Sequence, residues 1–288
     1  MIQPYGEQCL RVAFQGEHGA FSEDAARKLV GSQAVTVPFR KFDDMFEAVS
    51  SGKADAAMAP IENSLAGSVH QNYDLMMEHD LTIIGETYLR IIHSLIAAPG
   101  VELGQIQRVY SHPVALAQCG KFLRAHKQIE AEPAYDTAGS VRMVMESGSL
   151  TDAAIAGRSA ANHYGAQVLA EGIEDNPQNF TRFLLLTGAD TARALPPVVD
   201  TLPRKTSIVF RVANTPGALY KALAAFALRD VDLCKIESRP IEGRPWEYSF
   251  YMDFAGDQKD PRVNRAIGHL AEMAESIRVL GSYPSASY

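Results

Sequence analysis

The sequence predicts an α/β protein with two similar lobes that the chain crosses twice, followed by a smaller ferredoxin-like domain. From Leu10 onward, short apolar runs alternate with amphipathic stretches, as in parallel strands joined by crossover helices. Residues 55–60 and 152–157 are alike, which indicates two related lobes. Residues 205–285 follow a proline-rich stretch and have a βαββαβ pattern.

The first lobe is predicted from alternating strand and helix signals. Gly31 and Gly52 end its first two helices, because glycine is favoured just after a helix. The predicted strands cover residues 11–15, 34–38 and 54–60, and the predicted helices cover residues 22–30, 42–49 and 67–78.

The second lobe is predicted between two crossings of the chain. Residues 81–98 are nearly continuous β-favouring sequence and form the predicted crossing strand, while residues 179–186 form the return. A strand is predicted at residues 109–110 and helices at residues 113–125 and 141–146. The first lobe is therefore assigned to residues 9–87 and 180–190, and the second to residues 88–179.

The C-terminal domain is expected after a linker at residues 191–204. Pro196, Pro197 and Pro203 lie in a stretch without periodicity, which is typical of a linker. The predicted strands cover residues 207–212, 233–239, 248–254 and 277–282, and the predicted helices cover residues 218–228 and 262–274.

The composition favours a small-molecule partner. The chain has 27 basic and 34 acidic residues without a basic run, which argues against nucleic acid or an anionic membrane as partner. Three widely spaced cysteines predict a reducing, cytoplasmic location. No apolar run approaches the roughly 20 residues that span a bilayer. The eight histidines lack a ligand spacing, so we expect no metal.

Polar residues gather in four loops where a strand is predicted to end and a helix to begin. Ligands bind at this edge of open α/β sheets, and helix N-termini there favour an anion such as a small dicarboxylate. Each loop could alternatively only cap its helix. The candidate residues are Ser22, Glu62, Asn63, Ser64, Ser111, His112, Gln118, Thr137 and Ala138.

The return strand adds a hydroxyl and a guanidinium beside an aromatic ring. These groups belong to Thr181, Arg182 and Phe183. A threonine in a strand is ordinary and an arginine there could be a surface charge, so the residues alone leave both interpretations open.

Several motifs, in order and over nearly the full length, resemble the prephenate dehydratases and the related arogenate dehydratases. The most diagnostic is Thr-Arg-Phe at residues 181–183, preceded by Asp175. In the C-terminal domain, residues 217–220 and 237–240 resemble the two motifs of ACT domains in these enzymes. The other matching motifs lie at residues 13–16, 19–22, 60–64, 67–69, 111–113, 115–119 and 136–138.

The resemblance implies a periplasmic-binding-protein-like catalytic domain and an ACT regulatory domain. The implied enzyme is a cofactor-free hydro-lyase of L-phenylalanine biosynthesis that converts prephenate into phenylpyruvate. Thr181 would donate a hydrogen bond to the leaving oxygen, with Glu62 as a proton relay. Arg182 would pair with a carboxylate, and Phe183 would pack against the ring. Ser22, His112, Gln118 and Ala138 would also contact substrate, and Asn63, Ser64, Ser111 and Thr137 would contribute neutral donors.

The resemblance further implies allosteric control by L-phenylalanine in a homodimer or homotetramer. The implied effector residues are Asn214, Gly217, Ala218, Leu219, Tyr220, Glu237, Ser238, Arg239 and Pro240. Tyr220 stands where valine is common and Cys234 where Ser or Thr is usual, so the identity of the effector stays open. Arogenate as the substrate and a non-catalytic small-molecule sensor are the alternatives.

Overall fold

The described residues form three β-sheets: one in each of two lobes and one near the C-terminus. The computed structural model describes residues 9–194 and 202–287. Its strands are β1 (Arg11–Gln15), β2 (Val35–Phe39), β3 (Ala56–Asn63), β4 (Gly67–Ser68), β5 (Leu81–Arg90), β6 (Ser94–Ala97), β7 (Arg108–Ser111), β8 (Glu130–Pro133), β9 (Asp152–Ala156), β10 (Gln167–Glu171), β11 (Phe180–Gly188), β12 (Arg204–Arg211), β13 (Leu233–Ile241), β14 (Arg244–Ala255) and β15 (Ser276–Pro284). Its helices are α1 (Phe21–Val30), α2 (Phe42–Ser50), α3 (His70–Glu78), α4 (Pro113–Gln118), α5 (Gly120–Ala125), α6 (Thr137–Ser147), α7 (Arg158–Tyr164), α8 (Ala189–Ala194), α9 (Ala218–Ala227) and α10 (Pro261–Met273).

The return strand β11 lies inside the first sheet, whose order is β2-β1-β3-β11-β5. It runs antiparallel to both neighbours, while β1 pairs in parallel with β2 and β3. Because successive side chains of a strand point to opposite faces, Phe183 and Leu185 pack with α1 residues while Leu184 and Leu186 pack on the other face. This alternation decides what each residue of the Thr-Arg-Phe segment can reach.

The second sheet has the order β10-β6-β9-β7-β8. The chain enters this lobe between β5 and β6 and returns between β10 and β11, so the predicted double crossing is confirmed. The first crossing, predicted as one strand over residues 81–98, consists of two strands, β5 and β6, which belong to different sheets. The break between them lies at residues 91–93.

The C-terminal sheet has the order β13-β14-β12-β15, and its elements follow the predicted βαββαβ sequence. One face packs against α9 and α10, and the other packs against the first lobe. A side chain at Gly281 would collide with the backbone of Ile83, so the two sheets approach closely where only glycine fits.

Several predicted elements differ in detail. Residues 67–68 form a short strand rather than the start of a helix, because Gly67 has a φ of 83° and turns the chain back onto β3. The predicted helix 113–125 is two short helices that meet at Cys119. The helix predicted at 141–146 starts earlier, at Thr137, where the Asp136 side chain caps it. The short strands β8 and β10 were not predicted.

The predicted linker begins within helix α8, and residues 195–201 lie outside the described part of the chain. In the two described ranges, no helix has both the length and the apolar character to cross a membrane.

Candidate active site

A cavity of about 480 Å³ lies between the two lobes. The first lobe contributes the N-terminus of α1 and the turn after β3, and the second lobe contributes the N-terminus of α6. The cavity therefore lies at the sheet edge where the sequence predicted a site. The predicted site residues that line it are Ser22, Asn63, His112, Gln118, Thr137, Thr181 and Phe183.

Three predicted residues belong to the surrounding framework. Ser64 joins the turn to the return crossing, because its Oγ donates to the Gln178 carbonyl and accepts from the Phe180 amide, at 2.8 and 3.0 Å. Ser111 is fully buried and donates to the Ile155 carbonyl. Ala138 lies in the core of the second lobe. None of these three lines the cavity.

The structure does not bring Arg182 or Glu62 to the cavity, contrary to the roles expected for them. The two residues are paired across β11 and β3, and both point toward the C-terminal sheet. Glu62 forms an ion pair with Lys235 at 3.0 Å. The Arg182 guanidinium is buried against Glu86 at 2.7 Å and Asp253 at 2.5 Å. Strand alternation places these charges on the face opposite Thr181.

Thr181 is buried at the cavity wall, and a single described contact orients its hydroxyl. Asn63 Nδ2 donates to Thr181 Oγ1 at 2.9 Å. Since the oxygen already accepts a hydrogen bond, the hydroxyl hydrogen is available to donate to a bound molecule. Thr181 can therefore act as a donor toward the cavity.

The amide of Asn63 has a fixed orientation. Its Oδ1 accepts from the backbone N–H groups of Leu65 and Ala66 at 3.0 and 2.9 Å, so its Nδ2 must face Thr181. The same Nδ2 donates to Asn179 Oδ1 at 2.8 Å. The turn after β3 thus sets the polarity of the contact with Thr181.

Neutral donors, not cations, are available to hold an anion in the cavity. Among the described residues that line it, there is no Lys or Arg. The N-termini of α1 and α6 supply backbone N–H groups and positive dipole ends, and Ser22 and Thr137 supply hydroxyls beside them. Such a site can bind carboxylates without a buried salt bridge.

Asp136 and His93, which both lie in the wall, have shifted pKa values. Burial raises the pKa of the Asp136 carboxyl, although the backbone amide of Gly139 opposes the shift. Burial lowers the pKa of His93, against the opposing hydrogen bond with Gln118. His93 is therefore held neutral at physiological pH.

A buried carboxylate holds the loop before α1. Glu23 accepts from the Gly19 amide at 2.7 Å and from Thr36 and Arg27 at 2.7 Å each. Burial alone would raise its pKa, but these hydrogen bonds lower the pKa of Glu23 to about 2. The charged side chain thus fixes the loop that presents Ala20 and Ser22 to the cavity.

A second, smaller cavity of about 190 Å³ lies in the C-terminal domain. Gly217 has a φ of 78° at the start of α9, a conformation that favours glycine. The predicted effector residues that line this cavity are Asn214, Gly217, Ala218, Leu219 and Tyr220.

The other predicted effector residues lie on β13 and do not line this cavity. Glu237 accepts from the Ser68 hydroxyl at 2.5 Å, and Arg239 makes two hydrogen bonds to Asp74 at 3.0 and 2.7 Å. These contacts join the C-terminal domain to the first lobe. Ser238 and Pro240 alternate with them and are exposed.

Sequence reasoning missed two polar residues beside the cavity, His93 and Asn179. Both are buried, and both hydrogen bond to Gln118 Oε1, at 2.9 and 3.0 Å. They lie at the crossings, in segments that were predicted as apolar strands. The sequence offered one signal for them: each is an isolated polar residue in an apolar segment that was predicted to pass between the lobes.

Comparisons with known proteins identify close relatives of this chain. The sequence model of the prephenate dehydratase family matches residues 12–191. Arogenate dehydratase 2 of Petunia hybrida is 44% identical over 292 residues, which cover 96% of this chain and 72% of the relative. Arogenate dehydratase/prephenate dehydratase 1, chloroplastic, of Arabidopsis thaliana is 44% identical over 289 residues, with the same coverage of 96% and 72%.

Solved structures that resemble nearly the whole chain include the following two. Prephenate dehydratase from Arthrobacter aurescens, in complex with L-Phe, has a TM-score of 0.86 at 36% identity and covers 96% of this chain and 90% of its own. GqqA, described as a novel type of quorum quenching acylase, has the same TM-score and identity and covers 96% and 98%.

Proposed function

The chain belongs to the prephenate dehydratase family, and on this premise we propose that the cleft between its lobes converts prephenate into phenylpyruvate. The observation that carries the proposal is the hydroxyl of Thr181, oriented by Asn63 at 2.9 Å in a cavity that helix N-termini flank. The family places the chain among the hydro-lyases rather than among non-catalytic sensors.

In the proposed reaction, the two bonds that join a carboxylate and a hydroxyl to the substrate ring break together. The carboxylate on the ring leaves as carbon dioxide, and its electron pair enters the ring, which becomes aromatic as hydroxide leaves from the opposite carbon. A proton from solvent then completes water. Aromatisation supplies the driving force, so the protein needs to position the dianion and stabilise the departing oxygen.

Thr181 is the donor that we assign to the leaving oxygen. Asn63 Nδ2 donates to one of the two lone pairs of Thr181 Oγ1, which leaves the hydroxyl hydrogen free to point into the cavity. Phe183 lines the same wall and offers an apolar face to the ring. We assign the carboxylates to the backbone N–H groups of α1 and α6 together with Ser22 and Thr137, and not to Arg182.

The substrate is tested by incubating the purified enzyme with prephenate and following phenylpyruvate by its ultraviolet absorbance in alkali. Arogenate is the second candidate, because relatives at 44% identity are named arogenate dehydratases. The two substrates differ in a keto and an amino group, so one contact can decide between them. The ratio of kcat/KM values decides the preference, and turnover of neither substrate contradicts the proposal.

An acylase activity, such as the one ascribed to GqqA, makes a different demand on the site. Acyl transfer needs a nucleophile that an adjacent base activates. The neighbour of the Thr181 hydroxyl is the Asn63 amide, which donates and cannot accept a proton. This contact favours dehydration over acyl transfer at Thr181.

We further propose that the C-terminal unit is an ACT domain and that its cavity binds L-phenylalanine. The cavity is lined by Asn214 and by Gly217–Tyr220, and the Arthrobacter aurescens relative is described in complex with L-Phe. Added L-phenylalanine should lower the rate. Indifference of the rate to each aromatic amino acid would refute the sensor role.

The homodimer or homotetramer stays a proposal. It is supported by large apolar side chains on the C-terminal domain, since Tyr220, Leu228 and Trp246 are 77%, 76% and 78% exposed. Light scattering of the purified chain should give a mass of two or four copies, and a mass of one copy would contradict this. The cytoplasmic location is likewise a proposal, and a relative in Arabidopsis is named chloroplastic.

A further inference from the structure

His93 begins a chain of hydrogen bonds that ends at the Thr181 hydroxyl. Its ring lies 2% exposed at the cavity wall, edge-on to Phe21. His93 Nε2 lies 2.9 Å from Gln118 Oε1, and Gln118 Nε2 lies 3.4 Å from Asn63 Oδ1. Asn63 Nδ2 then donates to Thr181 Oγ1 at 2.9 Å.

The contacts assign one direction to this chain. Backbone N–H groups fix Oδ1 of Asn63 as an acceptor, so Gln118 must present its N–H₂ group to it. Gln118 Oε1 is then an acceptor, which Asn179 Nδ2 also uses at 3.0 Å. His93 must therefore carry its proton on Nε2.

The other ring nitrogen supports the same tautomer. His93 Nδ1 is buried and has no hydrogen-bond partner among the described residues. A proton there would be an N–H group without an acceptor, which is costly in a buried position. The lowered pKa of His93 agrees, because it keeps the ring neutral with a single proton.

We propose that His93 is a positioning residue for the dehydration, which acts through Gln118 and Asn63 to keep the Thr181 hydroxyl directed as a donor toward the leaving oxygen. Every link donates toward Thr181, and hydrogen bonds in such a chain polarise one another. The inference rests on the proposed role of Thr181. It adds His93, which does not touch the reacting atoms, to the residues that act in the cleft.

The test is a double-mutant cycle between His93→Phe and Thr181→Val. Phenylalanine keeps the ring against Phe21 and removes both nitrogens. In the wild-type background, His93→Phe should lower kcat about five- to tenfold with KM nearly unchanged, the size of one neutral hydrogen bond. In the Thr181→Val background the same change should have no effect, because the hydroxyl that it orients is absent.

Two further variants separate positioning from packing. His93→Gln keeps an N–H group near the position of Nε2 and should restore most of kcat. His126→Phe is the matched control, since the His126 side chain hydrogen bonds to the Phe122 carbonyl at 2.9 Å in the second lobe, and it should leave kcat unchanged. Equal losses from His93→Phe in both backgrounds, or no recovery in His93→Gln, would overturn the proposal.

A measurement on the wild-type protein covers the case in which a variant fails to fold. Nitrogen NMR of the imidazole should show His93 as the neutral Nε2–H tautomer at neutral pH. A proton on Nδ1 would reverse the first link and overturn the proposal. If Thr181→Val alone retains full turnover, the assigned role of Thr181 fails instead, and the cycle identifies that outcome separately.

Discussion

The two faces of strand β11 serve different interfaces with different chemistry. Thr181 and Phe183 face the cavity between the lobes, where no described lining residue is Lys or Arg. Arg182 lies between them in sequence and faces the C-terminal sheet, in a cluster with Glu86, Asp253 and the Tyr283 hydroxyl. The charged residue of a motif can thus join two sheets while its neutral neighbours line the cavity between the lobes.

The Arg182 cluster shows why a buried charge suits an interface. Burial alone would lower the pKa of Arg182, but Asp253, Tyr283 and Glu86 raise it well above its ordinary value, so the guanidinium stays charged. Lys205 adds a second ion pair to Glu86 at 2.7 Å. Removal of one member leaves its partners charged and desolvated.

The largest expected effect is therefore on stability. Arg182→Met keeps the apolar stem but leaves Asp253 without its cation and Glu86 with Lys205 alone, and it should cost about 3–5 kcal/mol of unfolding free energy. Denaturant unfolding measures this. Arg193→Met is the control, because Arg193 forms an exposed pair with Asp190 and should hardly change the midpoint. Equal unfolding free energies of the two variants would show that the buried Arg182 cluster stabilises the fold no more than an exposed ion pair does.

On the cavity side, the charge of Glu23 supports a loop rather than a substrate. Glu23→Gln should lower the free energy of unfolding by about 1–2 kcal/mol at neutral pH, because the Gly19, Thr36 and Arg27 donors lose their anion. The pKa of Glu23 is lowered to about 2, from 4.5. Its contribution is therefore present above pH 4.5 and is lost as the pH falls toward 2.

Unfolding measured across that pH range tests the assignment of Glu23. The difference between wild type and Glu23→Gln should narrow steadily as the pH drops. A difference that does not vary with pH would show that the charge of Glu23 does not stabilise the loop.

The smallest expected effect concerns coupling between the C-terminal domain and the cleft. Arg239 binds Asp74 on α3, and the neighbouring Glu237 binds Ser68, which lines the cavity. Arg239→Gln should weaken the response to L-phenylalanine about fivefold, near 1 kcal/mol of coupling, without a change in basal kcat. Inhibition curves measure this. Unaltered curves would exclude the Arg239–Asp74 contact as a route of coupling.

The sequence predicted the architecture better than the directions of individual side chains. Periodicity and turn residues located the lobes, the double crossing and the βαββαβ unit, because these depend on local patterns. Glu62 and Arg182 do not lie at the cavity, where their expected roles would need them. The sequence did not show that the C-terminal sheet covers the face of β3 and β11 from which these two side chains project. The motifs located these residues in the sequence but did not show toward which face of the strand each side chain points.

The polar network beside Thr181 was only partly predictable for a related reason. Asn63 and Gln118 lie in recognisable loops, whereas His93 and Asn179 are separate in sequence and meet only when both crossings pass the same end of the cleft. Hydrogen bonds between residues 61 or 116 positions apart depend on tertiary packing.

The most direct test of the contrast between the faces of β11 is the turnover of Thr181→Val on prephenate, with Thr181→Ser beside it. Valine keeps the shape and removes the donor, so kcat should fall about 100- to 1,000-fold with little change in KM or in unfolding free energy. Serine keeps the hydroxyl and should retain most of the rate. Near-normal turnover of Thr181→Val would show that this hydroxyl does not assist the departing oxygen.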